Sequence, residues 1–257
     1  MFSSFLTVAV MAGAASALSL SSQCQSTLAG VATSSDGSCL NAAGLVSLAV
    51  LGNSSSIVGP VNTWLGGFCS KTACTNATLA SLVSTIVSGC SSDISSAGLG
   101  NVSTSTITSD VQTFYPAVRQ MACLQDTSAN ELCVTETLSG IQNATGTLSI
   151  NNIVSLVPQI LAGSSANIPQ NVTCSNCAKE AYNIFNNFFP TLLTSSDKSS
   201  VQTECGSSFT DGTQPSHITQ TANGLSLAQN NSALASFAIK STFASMVALA
   251  SGFVVFA

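Results

Sequence analysis

Charge is scarce in this chain. Asp, Glu, Lys and Arg make up 6% of its 257 residues, ten acidic against five basic, for a net charge of −5. So few cations cannot assemble a basic stripe, which argues against nucleic acid and anionic lipid headgroups as partners. Histidine occurs once, as His217, so a Ser/His/Asp triad and a histidine-built zinc centre both lack their parts, and there is no Gly-x-Ser-x-Gly elbow. Aromatics are also 6% of the chain, with one Trp and two Tyr. No apolar run reaches the ~20 residues that a bilayer-spanning helix needs. Solubility must therefore come from Ser, Thr, Asn and attached sugar.

Two shorter apolar runs stand at the ends. Phe2 to Ala17 closes on Ala15-Ser16-Ala17, a small-x-small site before Leu18, and has the layout of a signal peptide at residues 1–17. Thr242 to Ala257 is a sixteen-residue apolar tail. It is preceded by the spacer Leu234 to Ser241 and by three small residues, Asn231-Ser232-Ala233. That order predicts a glycosylphosphatidylinositol (GPI) anchor at Asn231, with Asn230 and Ser232 as near rivals and 232–257 removed as a propeptide, the alternative being a transmembrane tail anchor. The expected location is extracellular, at the outer face of the plasma membrane or in a cell wall, with the membrane met through the GPI lipid. Six N-x-Ser/Thr sequons, at Asn53, Asn76, Asn101, Asn143, Asn171 and Asn230, are candidate glycan sites in an exported chain.

The ten cysteines are Cys24, Cys39, Cys69, Cys74, Cys90, Cys123, Cys133, Cys174, Cys177 and Cys205. An even count in an exported chain predicts disulfides, of a connectivity the sequence leaves open. Ile57 to Gly67 aligns without gaps to Ile153 to Gly163, with five of eleven positions identical. In each half one cysteine precedes this stretch, a close pair beginning Cys-Ser follows it, and a helical segment leads to a last cysteine. This predicts a tandem duplication with five cysteines per half: repeat 1 at 18–95, a linker at 96–108, repeat 2 at 109–206 and a Ser/Asn-rich stalk at 207–231. Because five is odd, full oxidation requires at least one bridge between the halves.

Periodicity is helical almost throughout, so the expected class is all-α, a disulfide-stapled helical bundle. Leu79, Leu82, Val83, Ile86, Val87 and Cys90 form one face behind a Thr75 cap. Ala178, Ala181, Tyr182, Phe185, Phe188 and Phe189 form another, with Lys179, Glu180, Asn183, Asn186 and Asn187 opposite, Asn176 as cap and Pro190 as stop. Ile150, Ile153, Val154, Val157, Ile160 and Leu161 make a third stripe. Leu45, Leu48 and Leu51 mark one further helix, and Val134, Leu138 and Ile141 its partner. A capping box at Ser109 to Gln112 competes with a helix starting at Pro116, where proline suits the first turn.

Few residues carry chemistry. His217 falls in the expected stalk as a solvated residue. Asp126, Glu131 and Glu136 lie close in sequence and are expected to solvate helix ends, the alternative being an acid/base pair for glycoside cleavage. Cys174-Ser-Asn-Cys177 opens a helix but lacks the preceding strand of a redox enzyme, so a structural role is expected. Tyr182, Phe185, Phe188 and Phe189 are either core or the lining of an apolar ligand cavity. No catalytic residue, cofactor or metal is expected.

Cys24-Gln-Ser-Thr-Leu, Cys39-Leu-Asn, the Ile57–Leu65 segment, Cys69-Ser-x-x-x-Cys74 and the Ser/Asn-rich run into the apolar tail together resemble a family of fungal secreted, cysteine-containing, GPI-anchored cell-surface proteins. The resemblance spans nearly the whole chain. It implies a surface address and no particular activity. The expected function is thus non-enzymatic, structural or interactive, with cell-wall glycan as a further partner. The alternative is a helical module that binds a lipid, a sterol or another small apolar ligand.

Overall fold

Ser21 opens the first helix, α1 (Ser22–Thr33), its hydroxyl accepting from the Cys24 N–H at 3.2 Å and so satisfying one of the donors orphaned at a helix start. Two 3-10 turns, Asp36–Leu40 and Ala42–Leu45, lead into the single turn α2 (Val46–Ala49). The structure, a computed structural model, describes residues 20–49, 54–153 and 168–224. Both apolar ends, Asn53, Asn230, Asn231 and all but the first few residues of the 150–161 stripe lie outside the described residues.

Asn41 joins the two 3-10 turns in a left-handed conformation, φ 51°, which asparagine tolerates better than most residues. Its Nδ2 donates to the Trp64 carbonyl at 2.9 Å, and Trp64 Nε1 returns a bond to the Leu40 carbonyl at 3.0 Å. This reciprocal pair seats the turns on α3 (Val58–Ser70), which buries Val61, Leu65, Phe68 and Cys69. Gly67 permits the approach, since a Cβ there would stand 2.1 Å from Asn41 Nδ2.

α4 (Asn76–Gly89) follows its sequence pattern. Thr75 caps it by accepting from the Thr78 N–H at 3.1 Å, and Leu79, Leu82 and Val83 are buried, each contributing about 1.5–3 kcal/mol of transfer free energy. The expected linker, 96–108, is helical at its two ends: α5 (Ser91–Ser96) reaches its first residue and α6 (Thr104–Ala122) takes its last five. Ser103 caps α6, so Ser109 is interior and Pro116 lies well inside the helix. Interior proline removes a backbone bond, but burial of Ala117, Arg119 and Gln120 just beyond it holds the helix together.

β1 (Leu124–Asp126) and β2 (Glu131–Leu132) form an antiparallel hairpin pairing Gln125 with Leu132 and Asp126 with Glu131. The remaining helices among the described residues are α7 (Cys133–Thr145), α8 (Gln170–Thr173), α9 (Asn176–Phe188) and α10 (Ser195–Cys205). Ser175, one residue before the expected Asn176, caps α9, and the helix ends before Pro190.

Residues 207–224 are not a solvated stalk. A 3-10 turn, Ser207–Thr210, buries Phe209, and β3 (Ile218–Gln220) pairs antiparallel with β1. Ile218 and Ala222 are 2% and 3% exposed. Beyond β3, the Thr221 N–H donates to the Cys123 carbonyl at 2.9 Å and the Asn223 N–H to the Cys69 carbonyl at 2.8 Å. The segment thus straps the C-terminal ends of α6 and α3, satisfying carbonyls that a helix end leaves open.

The largest core cluster joins Leu48, Ile57, Val61, Leu65, Phe68 and Cys69 to Cys123, Leu148 and Ala222. A second joins Leu124, Cys133, Cys177, Ile184 and Ile218. All ten cysteines are paired: Cys24–Cys90, Cys39–Cys74, Cys69–Cys123, Cys133–Cys177 and Cys174–Cys205. Cys69–Cys123 is the bridge between the expected repeats that parity required. Under the alignment of the halves, Cys39–Cys74 corresponds to Cys133–Cys177, whereas Cys24–Cys90 has no counterpart.

Candidate functional site

The three carboxylates of the hairpin region do converge. Asp126 on β1 faces Glu131 on β2 in register, and Glu136 stands in the first turn of α7. Asp126 Oδ1 accepts from the Ser128 hydroxyl at 2.5 Å and from the Ser128 N–H at 2.6 Å. These bonds, the hydroxyl's foremost, hold its carboxyl below the usual range, with His217 adding a smaller effect. Glu136 shifts the other way, pushed up by burial first and then by the charges of Asp126 and Glu131. Environments that split two acids in this way occur in acid/base pairs. A glycosidase also needs both acids on a substrate cleft, and of the three acids Glu131 alone lines either of the two clefts described below.

Glu136 Oε2 lies 3.2 Å from Cys177 Sγ. Cys133, Glu136 and Cys177 place their ligand atoms within 4.8 Å of one another, a spacing suited to a metal. Both sulfurs belong to the Cys133–Cys177 bridge, and the thiolates that would bind a cation are spent in it. Cys174 and Cys177, the Cys-x-x-Cys pair, are bridged away from each other, to Cys205 and Cys133. The motif therefore ties three segments together. His217 is exposed, but its backbone (φ 67°) is part of the fold: its carbonyl accepts from Thr127 N at 2.8 Å and Oγ1 at 3.0 Å.

The aromatic group packs against itself. Phe114 of α6 lies 4.5 Å from Phe189, which Phe185 and Phe188 approach at 5.3 and 6.0 Å, while Tyr182 meets Phe209 of the strap at 5.9 Å. These separations suit tilted ring pairs. Two clefts open elsewhere. One of about 430 Å³ lies between α1 and α4, lined by Thr27, Val31, Leu82 and Thr85 among others. The other, about 380 Å³, runs between the C-terminal half of α3 and the hairpin, lined by Asn62, Ser70, Gln125, Asn130, Glu131 and Thr221 among others. None of Tyr182, Phe185, Phe188 and Phe189 lines either.

Two buried ionisable residues escaped the sequence pattern. Arg119 is 1% exposed and spans the end of α3, donating to the Phe68 carbonyl at 3.2 Å and to the Lys71 carbonyl. The negative end of the α3 dipole meets its charge. On α9, Glu180 and Asn183 are 4% and 6% exposed, although their spacing places them on the face opposite the aromatic stripe. Burial pushes the Glu180 carboxyl up, against a bond from Asn183 Nδ2 at 3.2 Å. Asn183 Nδ2 also donates to the Thr213 carbonyl at 3.1 Å, and Lys179 Nζ pairs with Asp211 at 2.9 Å, so these polar groups moor the strap. A carbonyl acceptor two elements away leaves no trace in local periodicity.

Asn76, Asn101, Asn143 and Asn171, the sequons among the described residues, are all exposed. Among the described residues no helix is long and apolar enough to cross a membrane. No protein-family model matches the chain, and neither does any curated protein or solved structure.

Proposed function

We propose that this chain is a non-enzymatic, glycosylated cell-surface or cell-wall protein of the fungal kind it resembles. It is exported by a signal peptide cleaved after Ala17 and anchored by a GPI lipid at Asn231. The observation that carries the reading is the pairing of all ten cysteines in five bridges, a pattern typical of chains that fold in an oxidising, extracellular compartment. Four exposed sequons accord with it. The recurrence of Cys39–Cys74 in Cys133–Cys177 supports a body built from two related halves. The role is structural or interactive, with Cys174 and Cys177 as staples and the rings of α9 as packing.

Expression of the full chain in a eukaryotic host tests this. The expected product begins at Leu18, carries N-glycans, lacks two hydrogens per bridge by intact mass, and leaves the cell surface on treatment with a phosphatidylinositol-specific phospholipase. An unprocessed N-terminus, free thiols or a lipase-insensitive product would sink the reading. A hydrophobic adduct released on denaturation would replace it with that of an apolar-ligand carrier.

A further inference from the structure

We infer that the cleft between α3 and the hairpin seats the hydroxyl-rich glycan of the chain's own lipid anchor, an assignment that rests on the GPI reading above. The cleft stands beside the last described residues. Thr221 lines it, as do Cys69 and Ser70, and those two residues' carbonyls receive Asn223 N at 2.8 Å and Asn223 Nδ2 at 3.4 Å. From Gly224 to Asn231 there are seven residues, which span at most about 25 Å even when fully extended. Because residues 207–224 are bound to the body, these seven residues, and not the 25 of the stalk expected from composition, set the greatest distance between the body and the anchor, which keeps the anchor within reach of the cleft.

The lining has the matching chemistry. Asn62, Gln125 and Asn130 bring amides, of which Gln125 Nε2 reaches Asn130 Oδ1 at 3.4 Å. Ser70 and Thr221 donate their hydroxyl protons to the Gly67 and Cys123 carbonyls and so offer the oxygens as acceptors. Glu131 adds a carboxylate, and no cation is among the lining residues. Thr135 Oγ1 donates to Asn62 Oδ1 at 2.8 Å, which fixes that amide and leaves its Nδ2 as a donor. Such a surface pairs with neutral sugar hydroxyls rather than with an anionic headgroup. None of the described sequons lines the cleft, so no N-glycan attached there competes from within it. An open, polar cleft binds a free sugar weakly, but a short tether raises the local ligand concentration to about the millimolar range, where weak binding suffices.

The test compares hydrogen exchange in the anchored full chain, before and after phospholipase removal of the lipid, with that of a secreted chain ending at residue 231. Glycan seating predicts about two- to tenfold slower exchange in segments 66–71, 125–132 and 221–223 of the anchored protein. That protection should persist after lipid removal and disappear in an Asn130→Ala/Glu131→Gln variant that still surfaces normally. Protection lost together with the lipid would show membrane contact only and overturn the assignment. Equal exchange in a protein whose anchor is confirmed by mass would also overturn it. A chain that carries no anchor at residues 230–232 refutes the GPI reading itself, which is a separate outcome.

Discussion

Arg119 donates to the carbonyl oxygen of Phe68 at 3.2 Å while its guanidinium carbon lies 5.0 Å from the centroid of that residue's ring. One side chain thus serves as hydrogen-bond donor, as partner to an aromatic face and as countercharge to a helix end. Replacing it by lysine keeps the charge but loses the planar fork. Arg119→Lys is expected to cost about 2 kcal/mol, the scale of one charge-assisted bond left unmade, read from urea unfolding. An unchanged midpoint would mean that the end of α3 is satisfied without it.

Gly67 and Gly66 sit side by side on α3 and should respond oppositely to alanine. At Gly67 the new methyl would stand 2.1 Å from Asn41 Nδ2, whereas at Gly66 it would meet nothing within 4 Å. Gly67→Ala is therefore expected to destabilise by about 1–3 kcal/mol through overpacking. Gly66→Ala is expected to stabilise by up to about 1 kcal/mol, since alanine favours the helix. Thermal unfolding of the two variants decides it.

Glu180 makes stability depend on pH in the sense opposite to ordinary acid denaturation. Burial raises its pKa above the usual 4.5, so the folded state binds the proton more tightly than the unfolded one. The resulting stability is present at low pH and lost as pH rises through the folded value. Glu180→Gln should accordingly stabilise the protein at pH 7, with the gain vanishing as the pH falls below the ordinary carboxyl range. A gain that is constant with pH would point to packing instead.

Asp211 runs the other way. Its bonds from Thr213, with Lys179 assisting, hold it at about 2 against a usual 3.8, so its contribution is present above 3.8 and lost as pH falls toward 2. Asp211→Asn should flatten that acid limb of a melting-temperature profile, and chain release should begin at the strap, visible as faster exchange near 211–213.

Cys174–Cys205 is the one bridge in which neither cysteine is buried, and α10 buries no residue of its own. A polar helix of this kind depends on its attachments. Cys174→Ser/Cys205→Ser should loosen α10 while leaving the main core's unfolding midpoint within about 1 kcal/mol, since effects at distant sites are nearly independent. Global loss of cooperativity would show that the bridge holds more than this helix.

The sequence made the helices of the first half legible because cap and stripe agreed there: Thr75 with Leu79, Leu82 and Val83. The second half was harder for a physical reason. On α9 the aromatic side looked like the core, yet the Cys177 bridge and Ile184 turn the other side inward, and Glu180 lies between them at three and four residues' remove. The strap was illegible because three-residue strands carry no period, and its apolar residues Phe209, Ile218 and Ala222 are buried singly by partners far away in sequence. The hairpin carboxylates were correctly grouped, but that Glu131 lines the cleft while Asp126 turns to Ser128 and Glu136 to Cys177 could not be read from spacing.

The five bridges have a topological consequence. Cys24–Cys90, Cys39–Cys74 and Cys69–Cys123 interlock among residues 24–123, Cys133–Cys177 and Cys174–Cys205 interlock among 133–205, and no bridge joins the two sets. A single backbone cut within either set leaves one covalent molecule. A cut in the exposed 127–130 turn divides it in two, with the strap as a noncovalent clasp across the seam. The hairpin is thus the one place between Cys24 and Cys205 where a single protease nick could turn this protein into a separable heterodimer.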